Sequence, residues 1–333
     1  MAHDLATIQG QTAMMYYGQE PWHGLGTKLD HPATAWEAIR AASLDWEVSK
    51  TALFIARGTK LHEVPDRFAV VRQDQPPQGE APKILGIVGA DYVPWQNREA
   101  FEWFDPIVGE GAAVYHTAGA LGQGERVWIL AKLPDRIQVI GDDIADKYLL
   151  LSNSHDGGSS VQVKFTPIRV VCQNTLTMAL SEGRSIRTQH TKNLKERMAA
   201  ARDALGIIEA RFRDIADGFR RLVKVQVVQP RLDAYLERVF PEPADKKDDR
   251  AMARVHKART ASGRLFEEGL GNRAAGVRGS LWAAYNGVAE YVDHAMSYRD
   301  HDRRLEAIWF GSGYLSKARA YRLALQSAEA WRN

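Results

Sequence analysis

The chain has 333 residues, a formal net charge of +3 and a single cysteine, Cys172, with 45% apolar and 26% charged residues. This is ordinary globular composition, long enough for one large domain or two smaller ones, and it argues against wholesale disorder. One thiol excludes an internal disulfide, no apolar run approaches the ~18–20 residues of a membrane span, and residues 1–10 lack the pattern of a signal peptide. A cytoplasmic protein with no membrane partner is the expectation.

Charge is unevenly spread. Residues 1–110 are net acidic and the remainder is net basic; 184–231 alone holds twelve basic residues against five acidic ones. Such a basic half points to a polyanion or an acidic partner, or else to a solvated helix face.

In chain order, Thr34-Ala35-Trp36-Glu37 fits a capping box that opens a helix with Trp36 and Ile39 on one side. Strands are predicted over 46–55, 68–72 and 84–88, with a proline-rich loop over 73–82. Asn97 is a plausible N-cap for a helix carrying Phe101, Phe104 and Val108, ended by Pro106 and Gly109. Two hairpins follow. The first pairs 113–121 with 126–133 around Gly122-Gln123-Gly124, and the second pairs 148–154 with 160–166 around His155-Asp156-Gly157-Gly158. By the period of two, Val161, Val163 and Phe165 face a core while Gln162, Lys164 and Thr166 form an open polar face. Pro167 is expected to interrupt the ladder, and 172–180 to turn into a short helix.

The most regular segment is 192–223, where Leu194, Met198, Ala201, Leu205, Ile208, Phe212, Ile215, Phe219 and Leu222 recur at 4-3-4-3 spacing. That predicts one long amphipathic helix over 192–227 whose flanking positions are mostly basic, packed on this chain's own sheet. Residues 241–279 read as a polar and basic linker, Ser280 as the cap of another helix with Leu281, Tyr285, Val288 and Val292 on one stripe, and about 314–331 as a last helix. The predicted organisation is an N-terminal segment (1–30), an α+β core (31–240), the linker (241–279) and C-terminal helices packing on the core (280–331). The fold class is α+β: antiparallel hairpins packed with a long amphipathic helix in a β-β-β-α-like core, followed by a helical C-terminal part.

The chemistry-bearing clusters are few. Trp22-His23-Gly24-Leu25-Gly26 reads either as a recognition loop or as a segment pinned down by Trp22. His116, His155, Asp156 and Cys172 show no zinc-ligand spacing, so no metal is expected. Cys172-Gln173-Asn174 has no local histidine signature, which favours Cys172 as a packed small hydrophobe and Asn174 as a cap over a nucleophile. No nucleophile elbow, phosphate loop or zinc-protease motif occurs, so neither catalysis nor a cofactor is expected.

Several clusters taken together resemble a known family. They are Pro21-Trp22-His23-Gly24-Leu25-Gly26; Gln96-Asn97 before Phe101; His155-Asp156-Gly157; Arg169 through Leu176 with Cys172 and Asn174; Leu281-Trp282-Ala283-Ala284-Tyr285-Asn286; and Glu290-Tyr291-Val292-Asp293-His294. This ordered set, running from about residue 15 to about 325, resembles the phage/plasmid-like protein family that carries domain of unknown function 932. The resemblance implies a mobile-element origin in a bacterial host cytoplasm and supplies no catalytic residues. The arrangement of hairpins and a long basic helix is also similar, at the level of fold alone, to ring-forming single-strand annealing proteins.

The expectation is therefore a non-enzymatic single-stranded DNA-binding and annealing protein that forms a homo-oligomer. Lys164, Arg169, Arg184, Arg187, Lys192 and Lys195 would meet the backbone, with Tyr148, Tyr115 and Trp128 as candidate stacking groups. The alternative is an anti-defence or other protein-interaction factor of a mobile element, acting on a host protein through the acidic N-terminal part and the aromatic Trp22 loop.

Overall fold

The computed structural model describes residues 5–8, 10–18, 20–21, 24–74, 81–109, 113–169, 186–203, 208–245, 248–297 and 304–331. Its first elements are β1 (Thr7–Ile8), β2 (Gln11–Thr12), β3 (Met14–Tyr17), β4 (Thr27–Leu29), α1 (Ala35–Ala41), β5 (Val48–Arg57), β6 (Lys60–Arg72), β7 (Ile84–Gly89) and α2 (Asn97–Gly109). There follow β8 (Val114–Leu121), β9 (Arg126–Ile140), β10 (Asp143–Ser154), β11 (Val161–Arg169), β12 (Ile186–Thr188), α3 (Leu194–Asp203) and α4 (Ile208–Val223). Last come α5 (Gln229–Val239), α6 (Asp249–Glu268), α7 (Leu281–Glu290), a π-turn (Tyr291–Ala295), α8 (Arg304–Trp309) and α9 (Ser312–Ala330). The fold is α+β with a helical C-terminal part, as the periodicities imply.

Two compact units divide the chain. One takes Met1–Pro134, Leu149–Phe165 and Arg184–Gly206; the other takes Asp135–Tyr148, Thr166–Gly183 and Ile207–Asn333. A seven-stranded sheet runs in the order β12-β11-β10-β9-β8-β3-β4, and β5-β6-β7 form a separate three-stranded antiparallel sheet.

In the first unit the capping box is present in full: Thr34 accepts from the Glu37 N–H, and Glu37 accepts from the Thr34 N–H at 2.9 Å. Ile39 is buried, but Trp36 is 44% exposed and lies under the Arg98 guanidinium, so the two do not share a buried face. Phe101 and Phe104 of α2 pack against Tyr115 of β8, whose hydroxyl donates to the Phe101 carbonyl at 3.1 Å. The Trp103 indole donates to the Met198 carbonyl at 2.6 Å, fixing α3 to α2. Pro106 sits inside α2 rather than ending it. Gly119 on β8 permits the close approach of Trp128: a Cβ there would fall 2.4 Å from the indole ring.

The second unit is built around α7, every residue of which is buried, so the apolar stripe read from its sequence is one part of a helix enclosed on all sides. Ser280 caps it by accepting from the Ala283 N–H. Gly287 lets α6 press close, since a Cβ would meet the Ser262 carbonyl at 2.7 Å. Phe219, Trp282, Tyr285 and Tyr321 form a continuous aromatic cluster from α4, α7 and α9. Residues 249–268 of the stretch read as linker form α6, a helix of 20 residues capped by Asp248.

Six of the nine seam positions over 192–223 are buried as expected, Leu194, Met198, Phe212, Ile215, Phe219 and Leu222, while the side chains of Ala201, Leu205 and Ile208 lie outside those described. The seam is carried by two described segments, however, with α3 in the first unit and α4 in the second; 204–207 lie outside the described residues. The register of β11 is only half as predicted. Val161 and Val163 are buried and Phe165 is half-exposed, but Lys164 and Thr166 are buried too, at 4% and 9% exposure. The open polar face is therefore not open at those two positions. The strand also passes through Pro167 to Arg169 without stopping.

Candidate nucleic-acid interface

Two polar assemblies lie in the first unit. The first is cationic and gathers at the edge strand β12, which pairs antiparallel to β11 with Gln162 opposite Arg187. Burial first, then the charges of Arg187 and Arg126, bring the Lys164 ammonium down to about 8. A lysine moves this way when cations surround it in a poorly hydrated place. Arg126, from the start of β9, also donates to the Ser159 hydroxyl at 3.4 Å. Arg187 and Lys192 are exposed. Three cations thus converge from β9, β11 and β12, with Lys192 just beyond, before α3 begins.

Other predicted contacts fare differently. Lys195 is exposed but bound to Glu99 at 2.5 Å, which raises its pKa. Arg169 is the last residue of β11, while Arg184 lies outside the described residues. The three proposed stacking groups are buried: Tyr148 at 4% exposure, Tyr115 at 0% and Trp128 at 1%. They are core residues. Arg126 was missed by sequence reading, since it lies about forty residues before Lys164 and only strand pairing joins them.

The second assembly is buried and centres on the His155 turn. The Asn97 amide donates to the carbonyls of Leu44 (3.1 Å) and Trp46 (3.3 Å), so its oxygen is left to accept from the His155 Nε2–H at 3.0 Å. That assigns the proton to Nε2 and leaves Nδ1 a lone pair, which has no hydrogen-bond partner among the described residues. Asn97 is the first residue of α2 and acts as this bridge rather than as a cap. Gln96 next to it clamps the root of β5, accepting from the Val48 N–H and donating to the Val48 carbonyl.

His155 is completely buried with its ring edge-on to Trp46; desolvation, aided by His190, pushes its pKa down to about 3. Asp156 accepts from the Ser154 hydroxyl and the Gly158 N–H, closing the turn. His190 stacks on Tyr92 at 4.8 Å and donates from Nδ1 to the Val93 carbonyl. Its pKa is lowered by burial, and its Nε2 has no partner among the described residues. The motif His155-Asp156 is therefore the lock of a turn, and no group of three His, Cys, Asp or Glu placed to hold a metal occurs among the described residues.

The C-terminal motifs belong to the second unit's core. The Trp282 indole donates to Asp143 at 2.7 Å; Tyr285 and Asn286 are fully buried, and Asn286 donates to the Trp282 carbonyl. Tyr291 is buried, His294 is exposed, and between them Asp293 receives Lys317 in a wholly buried ion pair of 2.6 Å. Gly26 approaches Met14 so closely that a Cβ would touch its carbonyl at 3.0 Å. Trp22, His23, Cys172 and Asn174 lie outside the described residues.

These features define an α+β protein with a cationic sheet edge and side-chain-locked turns. The chain belongs to the family described as Domain of unknown function (DUF932), whose model matches residues 84–309. That match is narrower than the span of sequence resemblance and leaves the Trp22 cluster outside it. No curated protein and no solved structure matches the chain.

Proposed function

We propose that this is a non-enzymatic protein that binds single-stranded nucleic acid along the β11–β12 edge, in the service of strand annealing or recombination. One observation carries the reading: Lys164 of β11, Arg187 of the paired edge strand β12 and Arg126 of β9 converge on that edge. Cations gathered on one strand edge set up a positive potential that draws a phosphate backbone. Exposed Arg187 and Lys192 would take phosphates directly, and buried Lys164 would act as fixed positive potential behind them. Arg187 and Lys192 belong to the segment 184–231, in which basic residues outnumber acidic ones twelve to five. A phage or plasmid origin, action in the host cytoplasm and assembly into a homo-oligomer belong to the same reading.

The test is a titration of the whole chain against a labelled oligothymidylate at several salt concentrations. Log affinity should fall with log salt at about −0.7 per phosphate contacted. Arg187→Glu with Lys192→Glu should weaken binding and make the slope shallower by about 1.4, the share of two contacts. Absence of binding at low salt refutes the proposal and leaves an acidic host protein as the partner these charges would serve.

A further inference from the structure

The hairpin β5–β6 is longer than the sheet that supports it. β7 pairs only with Arg67–Val71 of β6, and beyond that point the register jumps from Ala52↔Phe68 to Phe54↔Glu63. The extra β6 residues form a bulge at 64–67 that contains Pro65 and the positive-φ residue Asp66. The bulge separates a seated base, where Val48, Ala69, Val70 and Arg72 are buried, from a tip with both strands in solvent. The tip projects by about 15 Å, from roughly 3.3 Å per residue.

An unsupported two-stranded ribbon is marginal in water, and apolar side chains on it gain nothing from the fold. Yet Phe54 is 56% exposed, Ile55 60% and Leu61 70%. By the register, Phe54, Ala56, Leu61 and Glu63 share one face, and Ile55, Arg57, Lys60 and His62 share the other. The tip, 54–63, holds two cations, Arg57 and Lys60, next to its turn and one carboxylate, Glu63, at its root opposite Phe54, although residues 1–110 as a whole are net acidic. Arg57 and Lys60 stand opposite each other across the tip turn, with no ion-pair partner among the described residues.

We infer that the β5–β6 ribbon is a nucleic-acid arm: Arg57 and Lys60 take backbone phosphates and Phe54 stacks on an unpaired base. The inference rests on the proposed function and supplies what the sheet edge lacks, an exposed aromatic platform. Stacking on an aromatic ring is tolerant of sequence, and single strands are held by cations and aromatic platforms together; here Arg57 and Lys60 lie at the turn on one face and Phe54 lies on the other, so the strand would pass over the tip of the ribbon. A protein partner would find apolar contacts here as well, but a pair of facing cations at the point of deepest reach matches a polyanion.

The experiment uses the full chain, a labelled oligothymidylate and three proteins: wild type, Phe54→Ala, and Arg57→Glu with Lys60→Glu. All substituted side chains are exposed, so far-ultraviolet dichroism should be unchanged. Phe54→Ala should weaken binding roughly tenfold with the salt slope kept, because stacking releases no counterions. The charge reversal should make the slope shallower by about 1.4. If wild type binds and both variants bind within twofold of it, the arm is refuted while the sheet-edge reading stands. If wild type does not bind, both fall. If the variants change the sedimentation coefficient of the free protein and leave binding intact, the ribbon joins copies of the chain, and the inference is overturned.

Discussion

His155 should make the first unit acid-sensitive well above the range in which carboxylates titrate. Its folded-state pKa is about 3, set by complete burial with a contribution from His190, against an ordinary histidine value near 6.5 in the unfolded chain. The folded state therefore holds the neutral ring, and the unfolded chain takes up the proton first. Stability from this group is present in full above about pH 6.5 and is lost as pH falls toward 3, at about 1.4 kcal/mol per pH unit. At pH 5 the loss should be about 2 kcal/mol relative to pH 7.5. His190, also lowered by burial, adds in the same direction. The Asp74 carboxylate, held below its ordinary value by Arg72, loses its contribution only at lower pH. Urea unfolding followed by tryptophan fluorescence at pH 7.5, 6.0 and 5.0 measures the slope. His155→Gln keeps an N–H for Asn97 and removes the titrating group, so it should flatten the dependence while costing some stability at pH 7.5. A wild-type slope no steeper than that of the variant would show that burial of the imidazole is not what this turn depends on.

In the second unit, Lys317→Met should destabilise by about 3–5 kcal/mol, because it takes the ammonium away from a buried Asp293 carboxylate; Lys317→Met with Asp293→Leu should recover much of this in thermal melts. Gly119→Ala should cost about 1–3 kcal/mol or prevent folding, since the new methyl collides with Trp128, and near-ultraviolet dichroism would report the displaced indole. Phe219→Ala opens the aromatic cluster with Trp282 and Tyr321 and should cost about 3–5 kcal/mol in the same melts.

What could be read from the sequence was local. The capping box at Thr34, the turn around Gly122-Gln123-Gly124, the Ser280 cap and the seam over 192–223 depend on neighbours within a few residues, and each is present. Lys164 failed for a long-range reason. Alternation tells which face a side chain takes but not whether that face is covered, and here a lysine two residues from Thr166 is buried beside arginines from other strands. Asn97 failed likewise: as a cap it needs only its own helix, whereas its amide is occupied by residues about fifty positions before and after it. Tyr115 and Trp128, candidates for stacking, carry a polar handle on an aromatic ring, and the sequence does not tell whether that handle meets solvent. Both satisfy that handle inside, on the Phe101 carbonyl and the Thr117 hydroxyl.

The seam shows how one periodic pattern can serve two cores. Leu194 and Met198 are buried in the first unit, while Phe212, Ile215, Phe219 and Leu222 are buried in the second. A heptad count sees only that apolar groups return every three or four residues; it does not record which partner each one meets. The same segment holds the basic excess on its flanks, because a helix whose apolar stripe is enclosed can carry charge only on the remaining face. Charge there is consequently a product of amphipathic geometry, and Lys195, spent on Glu99, is an instance. The cations over 192–223 therefore weigh less as evidence of a polyanion partner than the three that meet at β12. Those come from separate strands, and one of them, Lys164, is buried; helical periodicity does not bring them together. For this reason the strand edge, rather than the long basic segment, carries the case for nucleic acid.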